Sequence, residues 1–296
     1  MRRVNVWLIA VPLLVVALVN VIGAEMFLYP LHPLRAQASS PPDARPPIVI
    51  SIPVPQTTLT AYLYRGRTRA TVVVSPGSNA TAADVDPWVS FLYQAGYTVV
   101  SYDPRGTAGQ IGVAQTFGAR EAGDLVRLLH VLARRPDVDA HRIALLGLSL
   151  GGSVSLLAAA RAHAVRAVVD DSGFANARAQ LQRERRLLMG PLARLAIFSN
   201  ALMTVQARVS VSTVRPIGAV ASIAPRPLLI IHGLDDNVVP PSDSRRLCAA
   251  AGPTCQLWLV PHAGHIGALS VAGDQYRRRV LSFLHAAFSM ASAPSR

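Results

Sequence analysis

Three short stretches of the sequence carry residue types that can cooperate in acyl transfer. Ser149 lies between glycines in "GLSLGG", Asp235 and Asp236 lie in "HGLDDNVVP", and His262 and His265 lie in "VPHAGHIG". A serine hydroxyl is a poor nucleophile at neutral pH, so it needs a base to remove its proton and an acid to orient that base. The three stretches therefore predict a triad in the chain order serine, acid, histidine.

The serine stretch predicts a sharp turn between a strand and a helix. The apolar run "IALL" precedes it and an Ala- and Leu-rich run follows. Such a turn crowds the positions two before and two after the serine, and Gly147 and Gly151 remove that crowding. The hydroxyl of Ser149 is then held above the sheet edge, and the amide of Leu150 begins a helix beside it. For this motif alone, a Gly-rich packing turn is the alternative.

The elements that must position these residues alternate from residue 48 onward. After an opening pair of strands, "IVISIPV" and "LTAYLYR", apolar β-branched runs predict strands at 71–75, 97–103, 142–147, 166–171, 227–233 and 255–260. Helical patterns lie at 83–95, 117–134, 150–162, 242–251 and 273–288. This alternation predicts an α/β fold with a mainly parallel sheet and helices on both faces.

One interval breaks the alternation. Residues 174–222 separate two predicted strands by about fifty residues, which is far beyond an ordinary crossover. Its helical pattern predicts a small cap insertion above the sheet. Five arginines of this interval are expected mostly on a solvated face, with contact to a membrane as the alternative; they are Arg178, Arg183, Arg185, Arg186 and Arg194.

In these motifs the sequence resembles the α/β-hydrolase superfamily of serine hydrolases, in the broad branch of bacterial esterases and prolyl-oligopeptidase-like domains. The resemblance covers nearly all of residues 48–288 and is carried by "GLSLGG", "SYDPRG", "HGLDDNVVP" and "AGH". It implies Ser149 as nucleophile, Asp236 as acid and His265 as base. Asp235 and His262 stay as alternatives for the last two roles, and the other histidines, His232 among them, are assigned structural roles. The turn in "SYDPRG" is similar to the family's structural turn and is not counted as catalytic.

Two further points concern the oxyanion and the acid. Relatives often carry His-Gly after the third strand, where this chain has "SPGSN". Proline has no amide hydrogen, so we expect the amide of Ser78 to join that of Leu150 as the oxyanion donors, with Asn79 next in line. Some relatives place the acid one strand earlier, which makes Asp170 and Asp171 further alternatives.

The resemblance implies hydrolysis of a carboxylic ester through an acyl-enzyme. A serine peptidase or an acyltransferase on the same triad is the alternative, and a non-catalytic binding protein of the same fold is a third reading. Prolyl-type peptidases usually carry a large additional N-terminal domain, and residues 25–47 are too few for one. The expected substrate is a small-molecule or lipid-like acyl compound, and no metal or cofactor is called for.

The N-terminal segment predicts export. Arg2 and Arg3 precede an apolar run, Val6–Ala24, that would form a helix of about 28 Å, close to the thickness of a bilayer core. We interpret residues 1–33 as a signal anchor that contacts the membrane and leaves the rest outside the cytoplasm. A cleaved signal peptide, which would release a secreted or periplasmic enzyme, is the alternative. A helix buried in the core of the domain is a third reading.

Residues 34–47, rich in Pro, Ala and Ser, are interpreted as a tether, and residues 48–290 as the catalytic domain. The apolar run and the tether are expected to contribute nothing to the triad, so a chain that starts near Ala44 is expected to be soluble and active.

Composition bears on partners and compartment. The formal charge is +13, but all 29 basic residues are arginines scattered along the chain, without a nucleic-acid-binding motif. Binding to nucleic acid is therefore not expected. Cys248 and Cys255 flank a predicted turn that can bring them within disulfide reach, and export would let the bond persist. Two unpaired cysteines are the alternative.

Overall fold

The structure, a computed structural model, describes residues 7–29 and 45–290. Its sheet has eight strands in the spatial order β1-β2-β4-β3-β5-β6-β7-β8. The strands are β1 (Ile48–Val54), β2 (Thr57–Tyr64), β3 (Thr71–Ser75), β4 (Thr98–Asp103), β5 (Ile143–Leu148), β6 (Val165–Asp171), β7 (Leu228–Gly233) and β8 (Cys255–Val260). Strands β1 and β2 form the expected antiparallel pair, β2 pairs antiparallel with β4, and the other pairs are parallel. The predicted α/β fold is confirmed.

Helices cover both faces of this sheet. The α-helices of the described residues are α1 (Trp7–Leu28), α2 (Asp86–Gln94), α3 (Glu121–Leu132), α4 (Leu150–Ala159), α5 (Ala177–Met189), α6 (Ser199–Ala207), α7 (Pro216–Ala219), α8 (Pro241–Ala251) and α9 (Ala268–Met290). Of these, α2, α3, α4, α8 and α9 pack against strands of the sheet. Strand β5 is buried along its whole length, as its continuous apolar run predicts. One core layer contains Leu125 and Leu145, and the layer on the opposite face contains Leu146 and Tyr276. The alternation of β5 side chains between the two layers thus fixes the register of the central strand.

The cap insertion, residues 174–222, lies between β6 and β7 and is helical as predicted. It contains α5, a 3₁₀ turn at Gly190–Arg194, α6 and α7. Asn176 caps α5 by accepting a hydrogen bond from the amide of Ala179 at 3.2 Å. The insertion is joined to the core by Leu181 and Met203, whose side chains are fully buried.

The N-terminal helix α1 has two unlike halves. Trp7 is 73% exposed, and the apolar side chains described as far as Leu18 are mostly exposed as well. From Val19 onward one face is buried against the cap insertion, and Phe27 and Leu28 enter the core. The second half of the apolar segment is therefore a structural part of the domain. The contact gives a physical reason against the expectation that a chain starting near Ala44 is soluble and active, because such a chain lacks Phe27 and Leu28.

Polar contacts fix α1 to the cap insertion. The Asn20 side chain accepts a hydrogen bond from the amide of Phe198 at 2.6 Å and donates one to the carbonyl of Leu195 at 2.9 Å. Gln206 on α6 donates to the carboxylate of Glu25 at 2.7 Å. Because Asn20 is itself buried, these bonds replace its lost contacts with water and specify one docking position.

Two further expectations concern the tether and the cysteines. Most of the predicted tether, residues 34–44, lies outside the described residues. Cys248 at the end of α8 and Cys255 at the start of β8 form a disulfide. The bond closes the short loop that leads from α8 into the last strand.

Candidate active site

The glycines around Ser149 are required by the backbone. Ser149 follows β5 directly and has φ 53° and ψ −118°, a backbone conformation that residues other than glycine rarely adopt. A Cβ at Gly147 would lie 2.2 Å from the carbonyl oxygen of Gly151, and a Cβ at Gly151 would lie 2.1 Å from that of Ser75. No larger residue fits either position. The stretch is a strained strand-to-helix elbow that ends at the N-terminus of α4.

Ser149, His265 and Asp236 form a continuous hydrogen-bonded chain. His265 Nε2 lies 2.8 Å from Ser149 Oγ, and His265 Nδ1 lies 2.8 Å from Asp236 Oδ2. Ser149, His265 and Asp236 follow β5, β8 and β7, whose carboxyl ends lie at the same side of the parallel part of the sheet, with β6 between β5 and β7. The amide of Asp235 donates to the carbonyl of Ala263 at 2.9 Å and joins the acid loop to the histidine loop. The structure thus places the three predicted triad residues in mutual contact.

The acid of this chain is held in its ionised form. Asp236 Oδ1 accepts hydrogen bonds from the amides of Val238 and Val239 at 2.8 and 2.9 Å. Burial by itself raises the pKa of Asp236, but hydrogen bonds from His232 and His265 outweigh it, and the pKa falls well below its usual range. A carboxylate that stays ionised can hold His265 with its proton on Nδ1.

The sequence interpretation missed the contact that His232 makes. It assigned this residue a structural role, yet His232 Nε2 lies 3.1 Å from Asp236 Oδ2 in a fully buried position. The same nitrogen lies 2.9 Å from the carbonyl of Val239, and Nδ1 lies close to Ser244 Oγ. The available signal was the spacing in "HGLDDNVVP", where the histidine precedes the acid by four residues.

The alternative residues lie elsewhere. His262 is 91% exposed, and its nearest acid, Asp235, is 4.0 Å away and also exposed. Asp171 accepts hydrogen bonds from Tyr276 and Ser172 at 2.9 Å, and Asp170 accepts one from the amide of Gly173 at 3.0 Å. His265 thus bonds Asp236 and neither Asp235, Asp170 nor Asp171.

The loop after β3 lies beside the elbow. A Cβ at Gly77 would lie 3.4 Å from Ser149 Cβ. Gln115 holds the next two residues, because its Oε1 accepts from Ser78 Oγ at 3.2 Å and from the Asn79 amide at 3.4 Å. The Asn79 amide is therefore already engaged, which favours Ser78 of the two expected donors. That Ser78 and Leu150 hold an oxyanion stays a prediction.

Comparison with known proteins identifies the family of this chain. Residues 84–291 match the prolyl oligopeptidase family. The chain belongs to that family. This finding confirms the resemblance to α/β-hydrolases and shows that the fold is that of a hydrolase family.

Two relatives and one solved structure show how far the likeness to individual proteins extends. YfhR of Escherichia coli (strain K12), an uncharacterized protein, is 27% identical over 223 residues, or 74% of this chain and 72% of YfhR. Polyketide transferase ATR5 of Stachybotrys chlorohalonatus is 26% identical over 277 residues, or 77% of this chain and 92% of its own. The Pyrococcus furiosus esterase Pf2001 superposes with a TM-score of 0.70 at 19% identity, over 86% of this chain and 97% of its own.

In this member of the prolyl oligopeptidase family, a buried ion pair supports the turn that follows β4. Arg105, in the "SYDPRG" turn, donates through Nε and Nη2 to the two carboxylate oxygens of Asp124 at 2.6 and 2.9 Å. Asp103 accepts from the amide of Ala82 at 2.9 Å. These contacts tie the turn to α3 and to the segment before α2, and they agree with its interpretation as a structural turn.

In this family member, helix α5 of the cap insertion lies over the acid loop. The Gln180 side chain donates to the carbonyl of Val238 at 3.1 Å and to Glu184 at 2.8 Å. Burial raises the pKa of Glu184, and the hydrogen bond from Gln180 and the nearby charge of His265 only partly offset that rise. The cap insertion therefore places one titratable carboxyl group near the triad histidine. Among residues 7–29 and 45–290, no group of three or more His, Cys, Asp or Glu side chains is arranged to hold a metal ion.

Proposed function

We propose that this protein is a serine hydrolase that cleaves carboxylic esters. The observation that carries the proposal is the hydrogen-bonded chain from Ser149 through His265 to Asp236, built on a strained elbow at the end of β5. Ser149 acts as nucleophile, His265 as general base and Asp236 as the group that orients the base. Such an arrangement is recognised by its geometry and roles on many unrelated folds.

In the first half of the reaction the serine takes the acyl group. Ser149 Oγ attacks the carbonyl carbon of the ester while His265 Nε2 accepts the hydroxyl proton. The carbonyl oxygen becomes an oxyanion that the amides of Ser78 and Leu150 stabilise. When the carbon–oxygen bond to the alcohol breaks, His265 returns its proton to the departing alkoxide. An acyl-serine and a neutral alcohol result.

In the second half water releases the acyl group. His265 Nε2 accepts a proton from water as the water oxygen attacks the acyl-serine carbon. The second tetrahedral intermediate collapses, Ser149 regains its proton from His265, and a carboxylic acid leaves. Asp236 stays ionised throughout, because its hydrogen bonds keep its pKa low.

An ester is preferred to a peptide bond or a second acyl acceptor as the substrate. The fold resembles Pf2001, described as an esterase, over nearly the whole length of that enzyme. The likeness to a polyketide transferase over 92% of that protein favours acyl transfer to an alcohol as the second candidate. Both candidates use the same acyl-serine and differ only in what attacks it.

We also propose that the catalytic domain is held at a membrane, outside the cytoplasm. Residues Ala10–Leu28 are long and apolar enough to cross a bilayer by length and composition. Helix α1 continues without interruption past Ala24, which is fully buried in the domain, and this continuity favours an uncleaved anchor over a cleaved signal. The Cys248–Cys255 disulfide fits an oxidising compartment. The expected partners are the membrane and a small-molecule or lipid-like acyl substrate, and nucleic acid is not among them.

A substrate panel tests the reaction. Full-length protein is assayed with p-nitrophenyl esters of increasing acyl length, with aminoacyl p-nitroanilides, and with an ester in the presence of a second alcohol. We expect ester hydrolysis without amide cleavage, and carboxylic acid rather than a new ester as the product. Anilide cleavage or transfer to the added alcohol would replace the ester hydrolase with one of the alternatives.

Membrane extraction tests the location. Full-length protein is expected to stay in the membrane fraction in alkaline carbonate and to be released by detergent. Mass spectrometry of the mature N-terminus separates the two export readings. A chain that begins at Glu25 or Ser39 would mean a cleaved signal, and the anchor would be wrong.

A further inference from the structure

The part of α1 that is free of the domain is too short to cross a bilayer. Trp7–Leu18, twelve residues, give about 18 Å of α-helix. The hydrocarbon core of a bilayer is about 30 Å thick. About 12 Å of a span by the described helix therefore has to come from the half of α1 that is docked on the cap insertion.

The docked half of α1 keeps an apolar outer face. Gly23 and Ala24 are buried against the cap insertion, whereas Val21, Ile22 and Met26 are each at least 40% exposed. An apolar surface thus continues along the helix beyond Asn20, on the side that faces away from the protein. Water would leave these side chains unfavourably exposed, and lipid would not.

The cap insertion presents apolar side chains at the same level. We call these residues the cap rim; they are Leu187, Leu188, Leu192, Ile197 and Phe198, and each is at least 52% exposed. They adjoin α1 where its free half begins, since Asn20 bonds to the backbone of Leu195 and Phe198. Exposed large apolar groups gathered in one place mark a contact surface.

Positive charge lies behind the cap rim. A cleft of about 1090 Å³ between α5, the 3₁₀ turn and α6 is lined by Arg178, Arg185, Arg186 and Arg194. Arg185 is buried against Phe27, with its guanidinium 5.9 Å from the ring centroid, while the other three are exposed. The whole cap insertion contains seven arginines and a single acid, Glu184. This charge complements lipid phosphates, which lie just outside the acyl-chain layer.

We propose that the cap rim and the exposed arginines Arg178, Arg186 and Arg194 form a membrane-docking surface. The apolar side chains enter the acyl-chain layer of the outer leaflet, and the arginines meet the phosphates of anionic phospholipids. The inference rests on the proposed membrane location and goes beyond it, because it adds contact between lipid and the cap insertion to anchoring by α1.

Docking also places the triad close to the bilayer. Within helix α5, Gln180 bonds the acid loop at Val238, and Leu187 and Leu188 belong to the cap rim. These residues are seven and eight positions apart, about 11–12 Å along the helix. An acyl substrate dissolved in the membrane would therefore enter next to the triad.

Labelled single-cysteine variants test this surface. The native cysteines are joined in a disulfide, so Phe198→Cys provides one reactive thiol in the cap rim. Val49→Cys is the matched control, because Val49 is 59% exposed and points to the opposite face of β1 from the buried Ile50. Each full-length variant carries an NBD label and is reconstituted in vesicles of phosphatidylcholine with phosphatidylglycerol and an acyl-chain spin-labelled lipid.

We expect the label at position 198 to shift to shorter emission wavelengths and to be quenched by the spin label, with neither effect at position 49. If the protein floats with the vesicles but the label at position 198 shows neither the shift nor the quenching, as at position 49, the docking surface is wrong while the anchor stands. If the chain does not float with the vesicles, the membrane location and the docking surface both fall.

A comparison of two lipid compositions tests the role of the arginines. In vesicles of phosphatidylcholine alone, quenching at position 198 is expected to fall relative to the mixed vesicles. The double substitution Arg186→Gln and Arg194→Gln should remove this difference between the two lipid compositions. Quenching that is equal in both compositions before any substitution would overturn the role of anionic headgroups.

Discussion

The carboxyl ends of β5, β7 and β8 carry the triad, and we call them the edge. This edge and the cap insertion above it are built in different ways. At the edge, the carboxyl ends of β5, β7 and β8 deliver Ser149, Asp236 and His265, and short hydrogen bonds join their loops. The cap insertion is fixed by α1, through bonds such as that between Asn20 and Leu195, which are 175 residues apart. The edge is thus specified by local motifs, whereas the cap insertion depends on a distant segment of the chain.

The two regions differ in charge as well. The edge holds an ionised acid between two histidines, in a setting that keeps the pKa of Asp236 low. The cap insertion carries a large excess of arginine and an exposed apolar rim. If the edge performs the chemistry and the cap insertion places it, substitutions in the two regions should affect different measurements.

The largest effect is expected at the edge. Ser149→Ala and His265→Ala should each reduce ester turnover by about three orders of magnitude or more, because nucleophile and base act as one unit. The circular dichroism spectrum should stay unchanged, since Ser149→Ala removes only an oxygen. Normal turnover by the folded Ser149→Ala protein would remove the edge from the mechanism.

A core substitution at the junction of α1 and the cap insertion should change stability instead. Phe27→Ala removes a buried ring from the core and should lower the free energy of unfolding by about 3–5 kcal/mol. Chemical denaturation in detergent measures this change, with Val21→Ala on the exposed face of α1 as the matched control. If both variants unfold at the same denaturant concentration, α1 is not part of the folded domain.

A buried acid next to the edge predicts a dependence of stability on pH. Burial raises the pKa of Asp170 to about 7, above its unfolded value near 4. Its stabilising contribution is therefore full below about pH 4 and is lost as the pH rises through about 7. Asp170→Asn should reduce the stability lost between pH 4 and pH 8 by about 3–4 kcal/mol.

Unfolding free energies of both proteins across that range check the sign. The difference in unfolding free energy between the wild-type protein and Asp170→Asn should widen as the pH rises, because only the wild-type protein then carries the buried charge. A pH profile that is identical for both proteins would mean that Asp170 does not titrate in this window.

The smallest effect is expected at His262. Its side chain is exposed and outside the hydrogen-bonded chain, so His262→Ala should change turnover less than about threefold. This variant is the control for His265→Ala, since both remove an imidazole from the same loop. If His262→Ala is the severe variant, the wrong histidine has been placed in the triad.

The contrast between the regions also explains what the sequence could predict. The elbow is readable because the glycines flanking Ser149 meet backbone atoms within a few residues of the turn or in the adjacent strand β3. The chain order serine, acid, histidine and the pairing of Asp236 with His265 follow from the family motifs. His232 was assigned a purely structural role, since a motif does not state which buried group touches which oxygen.

The docking of α1 could not be predicted in this way. Its apolar composition is that of a membrane segment along the whole helix, and only the folded cap insertion distinguishes the buried Phe27 from the exposed Leu18. Likewise, the arginines of the cap insertion follow no motif, and their gathering around one cleft depends on how α5 and α6 pack. Long-range contacts of this kind leave no periodic signal in the sequence.

Labelling with a fluorophosphonate tests the central claim most directly. The reagent phosphonylates a serine only when a neighbouring base activates it, so full-length protein is labelled and its peptides are mapped by mass spectrometry. We expect one adduct on the peptide that contains Ser149, loss of that adduct in Ser149→Ala, and strong reduction in His265→Ala. An adduct on another residue, or undiminished labelling of the Ser149→Ala protein, would contradict the assignment of Ser149 as the nucleophile.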